Sequence, residues 1–572
     1  MDARARGFYA LVMPEAAHRF YYLDNFRRLL DWLSQRYRDL LVPDEQRFTE
    51  IFSALPLQSA ALLVRMITRR GDLFRTRRLV YAEIGCPDAA ARALIEAGLI
   101  ESGPAVSWSE LQRLLTRSEL AALFEISAAV RRAPKPQLVE HLQARCEAPH
   151  ALAVWSSRTG ETVYRLSVAA LCERLRIVFF GNFRQDWSEF VLTDLGIYRY
   201  ESVNIDARAR PFHRRAEIDQ FCSLYACREQ LQAGAPAQQV MEQIPAPLAD
   251  CEWIEARRKR LVFHTAQQLE KAGQWPEALA AYVGCNEPHA QIRAVRVLER
   301  QGLWQQAWDR LSSLEQSGSS EPLRQLSDRM RLRLGRKLGC AALETQSASS
   351  TASSTAWPTL RVELPRPDPP VAVEPLAAQW LATEDAPVFY VENALLNSLL
   401  GLWCWDALFA PVPGAFFHPF QAAPADLLAP EFCARRATPL AACRASLESG
   451  EYRERIARTF QEKAGLASPF VSWDLLTPRL LGLALECIAA EHLARCFERI
   501  LADISANRAG LPDLIQFFPR ERRYRLIEVK GPGDRLQNNQ LRWLSFCVTA
   551  GIEVAVCKVS WLEDSALLSS TA

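Results

Sequence analysis

The chain has 572 residues, with 68 lysines and arginines against 66 aspartates and glutamates, a formal net charge of +2, and 15 cysteines. This length holds several hydrophobic cores, in three or four domains, and the near-neutral balance excludes a global field pulling the whole protein to a polyanion. The cysteines form no paired framework and no metal spacing, which excludes a disulfide scaffold and a zinc module and points to a reduced, intracellular, cytoplasmic protein.

Met1-Asp-Ala-Arg-Ala-Arg6 lacks a secretory apolar run, and no segment is long enough to span a bilayer. Residues 1–105 read as a helical domain. Phe20 to Leu33 repeats apolar residues at three and four spacing, and a second helix is expected from Leu55 to Thr68. That helix leads into Arg65, Arg69, Arg70, Arg75, Arg77 and Arg78, which surround one acid, Asp72, with Phe74 interleaved. Guanidinium forks suit phosphates and an aromatic packs on a sugar or base, so this dense cluster is read as DNA-binding rather than as a solvated face.

Residues 106–150 hold two short helical patterns. Thr116-Arg-Ser-Glu119 has capping-box spacing, and Pro134-Lys135-Pro136 opens the second helix, with Lys135 a further DNA-binding candidate. The pair resembles a SAP domain, a small unit that touches DNA backbones. A connecting helical region is expected over 151–214; its Asp186 and Glu189 suggest a capped, buried helix rather than a second metal site. From 215 to 340 the chain is helical, and Gly273-Gln-Trp275-Pro-Glu-Ala278 matches Gly302-Leu-Trp304-Gln-Gln-Ala307. Small residues beside large aromatics at a fixed shift predict stacked, tetratricopeptide-like helix pairs, a scaffold or a seat for a protein partner. Ser- and Pro-rich composition marks 341–370 as a low-complexity linker.

The last domain, 371–572, carries the chemistry. Leu514 to Phe518 and Tyr524 to Ile527 are short apolar runs separated by a basic turn, which predicts a β-hairpin with Asp513 beside Glu528. Glu528 and Lys530 are two apart on a strand and share a face, while Val529 points inward and leaves its carbonyl for an ion if the strand ends there. Two carboxylates and an ammonium suit Mg²⁺ or Mn²⁺ and a phosphodiester, with Lys530 orienting or deprotonating the attacking water. A helix from Asp534 to Val548 would turn Gln537 and Gln540 toward the site and offer Arg535 and Arg542 to phosphates, and Ile552 to Cys557 alternates like a following strand. Apolar helices within Leu475 to Leu501, and a substrate-facing insertion from Phe409 to Arg436, elaborate this core.

Gly510-Leu-Pro-Asp513, Glu528-Val-Lys530 and Gln540-Leu-Arg-Trp543 resemble the three blocks of the VRR-NUC domain, a branch of the PD-(D/E)XK nuclease superfamily. That resemblance implies a further acid from an upstream helix. The match is Glu392, in the first turn of an amphipathic pattern running from Val391 to Leu400. It implies that Glu392, Asp513, Glu528 and the Val529 carbonyl bind metal and that Lys530 is catalytic, with Gln540 in the third block. Tyr21 to Phe26, Gly71 to Arg75, Leu175 to Phe190 and Asp194-Leu-Gly196 resemble blocks of the Fanconi-associated nuclease family, bacterial type. The fold class implied is a mostly α-helical N-terminal two-thirds and a C-terminal α/β nuclease domain.

The activity implied is a structure-specific DNase: a 5′-flap endonuclease and 5′ exonuclease acting on branched or flapped DNA in repair, including interstrand crosslinks, at the nucleoid. The ubiquitin-binding zinc finger of animal relatives has no counterpart before Tyr21. Two alternatives use the same residues: a VRR-NUC Holliday-junction resolvase or restriction-like endonuclease, and a non-catalytic DNA-repair scaffold.

Overall fold

The computed structural model describes residues 20–124, 126, 134–143, 161–189, 197–205, 210–248, 251–285, 287–315, 320–339, 357–369 and 371–562. The Asp194-Leu-Gly196 block and most of the 341–370 segment lie outside them, as do parts of the SAP-like unit. The chain forms two units, residues 1–198 with 210–222, and residues 199–209 with 223–572. Among the described residues the cysteines are unbridged, and no helix is long and apolar enough to cross a membrane.

In the first unit, helix Tyr21–Tyr37 buries Leu23, Phe26, Leu30 and Leu33, the stripe its spacing predicts. The expected single helix from Leu55 to Thr68 is one of two. Pro43–Ala54 starts on a proline at its first position, and Leu57–Ile67 follows after Pro56. A small antiparallel sheet was absent from the sequence reading. It joins β1 (Leu73–Arg75), β2 (Ile100–Ser102) and β3 (Val163–Leu166) in the order β1-β3-β2. The 151–214 segment is therefore not only a connecting helical region, since its strand β3 is the centre of that sheet, with helix Ala169–Phe180 after it. Capping boxes at Ser107 and Thr116 start helices Trp108–Leu114 and Arg117–Leu123, and helix Lys135–Gln143 completes the cluster.

The second unit opens with stacked helices, Glu252–Lys271, Trp275–Cys285, Pro288–Arg300, Trp304–Glu315 and Glu321–Leu338. Gly273 and Gly302 take positive φ of 78° and 75° in the turns before the two Trp-led helices, and Ala278 and Ala307 are fully buried at the helix crossings. The helix Glu321–Leu338 lies along the C-terminal part: Gln325 accepts from Arg542 at 2.8 Å, Glu321 from Arg499 at 2.8 Å, and Arg329 donates to Asn538.

The C-terminal part is built on five strands: β4 (Thr359–Leu364), β5 (Val388–Tyr390), β6 (Leu514–Phe518), β7 (Arg523–Lys530) and β8 (Val554–Trp561). Their order is β4-β8-β7-β6-β5, antiparallel from β5 to β7 and parallel from β7 to β4. Helix Asn538–Thr549 makes the crossover that the parallel pair β7 and β8 requires. Helix Leu395–Trp403 is buried at all nine positions and runs through the core. Strand β4 falls inside the segment read as linker, so the link ends before Thr359. The 409–436 stretch is mostly turns, closed by Asp426 accepting from both Arg435 and Arg436.

Candidate active site

The hairpin that carries the site folds as its pattern dictates. Phe517 faces Tyr524 across the turn and Leu514 faces Ile527, and the same register continued one residue sets Asp513 opposite Glu528. Asp513 Oδ2 accepts from the Val529 N–H at 2.8 Å, tying the acid to the neighbouring strand. In an extended strand a residue's N–H and C=O leave the same edge, so the Val529 carbonyl faces the Asp513 side, where β6 has already ended. Lys530 Nζ lies 2.7 Å from Glu528 Oε1.

This is an electrostatically loaded spot. Burial, and then the neighbouring Asp513, push the Glu528 carboxyl up to about 8, while Lys530 acts in the opposite sense. Burial pushes Asp513 up to about 6, opposed by the Val529 N–H and Lys530. Glu528 has no solvent exposure, and neither of its carboxylate oxygens has a directed hydrogen bond; the Lys530 contact is an ion pair without hydrogen-bond geometry. Buried oxygens of that kind are costly unless a cation answers them. A hard divalent cation with oxygen ligands fits this donor set.

Glu392 is not in a helix. Tyr390 ends β5, the helix starts at Leu395, and Glu392 sits in the turn between them, because Asn393 adopts a left-handed backbone with φ of 51°. Val391 N donates to the Asp513 carbonyl at 2.8 Å, which brings that turn to the Asp513 loop. The Glu392 carboxylate is held locally, accepting from Tyr390 Oη at 2.5 Å and from Asn393 Nδ2 at 3.2 Å. Burial and then Glu392 raise the Tyr390 phenol well above its usual range. Tyr390 and Asn393 were missed by sequence reasoning, although their positions flanking Glu392 were a signal. Among the described residues no three acidic, histidine or cysteine side chains close into a ready-made metal cage.

The helix carrying Gln540 starts at Asn538, four residues later than expected, and leaves Arg535 in the exposed loop before it. Gln540 Oε1 accepts from Gln537 N at 2.8 Å, so that oxygen caps its own helix instead of facing the acids. Arg542 donates to Gln325 rather than standing free for phosphate.

The basic cluster divides. Arg75 is 7% exposed and buried against Glu161, to which its Nη2 donates at 2.8 Å, and Glu119 accepts from it at 2.6 Å. This arginine ties β1 to the capping box, and its guanidinium is taken up by these two acids. Arg65 donates to Glu83 at 2.7 Å and stacks on Tyr22 at 3.9 Å, so the cluster has a second acid that the local count overlooked. Lys135 Nζ donates to the Leu115 carbonyl at 2.8 Å, which ties the start of its helix to the preceding one. Arg69, Arg70, Arg77 and Arg78 are exposed, with Arg69 donating to the Arg78 carbonyl.

Three family models match along the chain: a FAN1 HTH domain over 20–101, a Fanconi anemia-associated nuclease SAP domain over 107–155, and a VRR-NUC domain over 447–561. A Fanconi-associated nuclease 1 homolog of Pseudomonas aeruginosa is 44% identical over 551 residues, covering 96% of this chain and 98% of that one. A homolog of Arabidopsis thaliana is 25% identical over 94% of this chain and 66% of its own, and the Homo sapiens protein is 34% identical over 29% of this chain and 17% of its own. The crystal structure of paFAN1 bound to 2nt 5′ flap DNA with gap superposes with a TM-score of 0.90 at 45% identity, covering 96% of this chain and 99% of that one.

Proposed function

The chain belongs to the Fanconi-associated nuclease family, and from that premise we propose that it is a structure-specific DNA nuclease, a 5′-flap endonuclease and 5′ exonuclease acting in DNA repair, including interstrand crosslinks. The observation that carries the reading is the hairpin register, which sets Asp513 against a fully buried Glu528 whose carboxylate is ion-paired with Lys530 2.7 Å away. The substrate class rests on likeness to a protein crystallised on 5′ flap DNA.

Glu392, Asp513, Glu528 and the Val529 carbonyl are the proposed ligands of a divalent ion, Mg²⁺ or Mn²⁺. Once bound, it supplies positive charge against the phosphate and acidifies a water. The rest is done by the chain's own groups. Asp513 holds its orientation through the Val529 N–H. Lys530 shares a strand face with Glu528, so its ammonium reaches the same space, where it is proposed to orient the attacking water and a phosphate oxygen. Gln540 fixes the start of the crossover helix behind the Gly531-to-Gln537 loop. Arg69, Arg70, Arg77 and Arg78 are the proposed phosphate-contacting face of the N-terminal domain, and the helical array is the proposed seat for a protein partner. Phosphate contacts position a branched duplex, whereas the chemistry needs one small site.

The test is cleavage of 5′-flap, 3′-flap, four-way-junction, linear and single-stranded oligonucleotides with Mn²⁺, Mg²⁺ or chelator. Metal-dependent cutting that favours the 5′ flap, and falls to the chelator level in Asp513→Ala with flap binding retained, is expected. Preference for the four-way junction, or wild-type cutting by Asp513→Ala, would overturn the reading.

A further inference from the structure

The turn bearing Glu392 and the loop bearing Asp513 come from distant parts of the chain, yet one side chain joins them. Asn393 Oδ1 accepts two backbone N–H groups of that loop, from Gly510 at 2.8 Å and Leu511 at 3.1 Å, across 117 and 118 residues of sequence. Its Nδ2 donates to Glu392 Oε1 at 3.2 Å. Its own carbonyl accepts from Asn397 Nδ2 at 2.7 Å, and the same Nδ2 donates to the Arg508 carbonyl at 2.8 Å. The left-handed backbone at Asn393 is one that asparagine tolerates and most residues resist. On the far side, Gly510 has a φ of +91°, and a Cβ there would meet Asn539 at 2.7 Å, so the loop is also pressed against the start of the crossover helix.

We propose that Asn393 is a positioning residue for the metal site: its amide clamps the Glu392 turn to the Gly510-Leu-Pro-Asp513 loop, so that the two acids are set as one unit before an ion arrives. The clamp rests on the reading of Glu392, Asp513 and Glu528 as ligands. Its chemistry is that of a supporting shell. Groups that fix metal ligands from behind are typically worth about 10–100-fold in metal affinity or activity, because a preset ligand loses less freedom on binding.

The test compares Asn393→Gly with the wild-type full chain. Glycine keeps the left-handed backbone and removes the amide. Mn²⁺ binding to metal-free protein is followed by the spin resonance of free Mn²⁺, flap affinity is measured in chelator, and flap cleavage is titrated against Mn²⁺. The expected result is an Mn²⁺ Kd raised about 10-fold, cleavage regained at excess Mn²⁺, a lowered Tm because two backbone N–H groups lose their acceptor, and unchanged flap affinity in chelator. Wild-type Mn²⁺ affinity in Asn393→Gly would overturn the proposal. So would a fall in metal-free flap affinity as large as the fall in Mn²⁺ affinity, since that pattern belongs to a general loss of structure. Glu392→Gln is the control for the underlying reading: if it binds Mn²⁺ like wild type, the ligand assignment fails, whatever Asn393→Gly does.

Discussion

Replacing Arg75 with alanine separates the two roles that its position suggests, contact with DNA and structural support. The guanidinium makes three contacts to Glu161 at 2.8–3.2 Å through Nε and Nη2, and one to Glu119 at 2.6 Å. The Glu161 side chain is fully buried, so the substitution strands a carboxylate beside the Arg77 N–H as its remaining contact on that segment. Breaking a buried pair by removing one partner costs about 3–5 kcal/mol. At about 2–4 °C per kcal/mol for a unit of roughly 200 residues, the Tm of the N-terminal unit should fall by about 6–20 °C. The acid limb gives a second readout. Arg75 first, with the Thr116 backbone and hydroxyl, holds Glu119 down at about 2, against the effect of burial. A depressed folded pKa contributes stability that is present above the unfolded value of 4.5 and is lost as pH falls from 4.5 toward 2. Arg75→Ala should flatten that loss. Thermal unfolding of both proteins across this range, and flap affinity below the variant's own transition, are the assays. A variant with wild-type Tm and weakened DNA binding would refute the reasoning and return Arg75 to the phosphate-binding set.

The remaining predictions concern the nuclease site and the exposed arginines. Glu528→Gln should abolish cleavage yet stabilise the metal-free protein. The raised folded pKa of about 8 means that the wild-type penalty is absent below about 4.5 and grows as pH rises toward 8. The gain should be on the order of 3 kcal/mol near neutral pH, read by denaturant titration in chelator, and equal stability at every pH would refute it. Arg70→Glu with Arg78→Glu should flatten the slope of log affinity against log salt by about two with fold and Tm intact, and an unchanged slope would make that face merely solvated.

The hairpin was legible because its signals are local: two apolar runs, a turn between them, and an acid at the outer end of each. Continuing the antiparallel register then paired Asp513 with Glu528. Strands β4 and β5 were not legible. The first lies between a Ser-rich and a Pro-rich stretch and is completed only by β8, while the second is three residues long and pairs with β6 from more than a hundred residues away. Helical spacing continues smoothly through Val391, which hid the turn at Asn393; only its positive φ and its distant N–H partners stop the helix from starting there. Arg75 misled for the same reason. Its partner Glu161 is 86 residues away, so a count of nearby charges sees an unneutralised arginine where the fold has a buried ion pair.

The sheet order also bears on how the protein is made. Strand β8 comes last of the eight along the chain, yet it lies between β4 and β7 and supports the strand that carries Glu528 and Lys530. Its pairing with β4 spans nearly two hundred residues, a long-range closure of the kind that forms late. During synthesis the N-terminal unit emerges long before β8, and domains fold in that order. A growing chain would therefore complete its N-terminal unit while the five-stranded sheet still lacked the strand that joins β4 to β7. Until β8 has left the ribosome, the strand that carries Glu528 and Lys530 lacks its parallel neighbour.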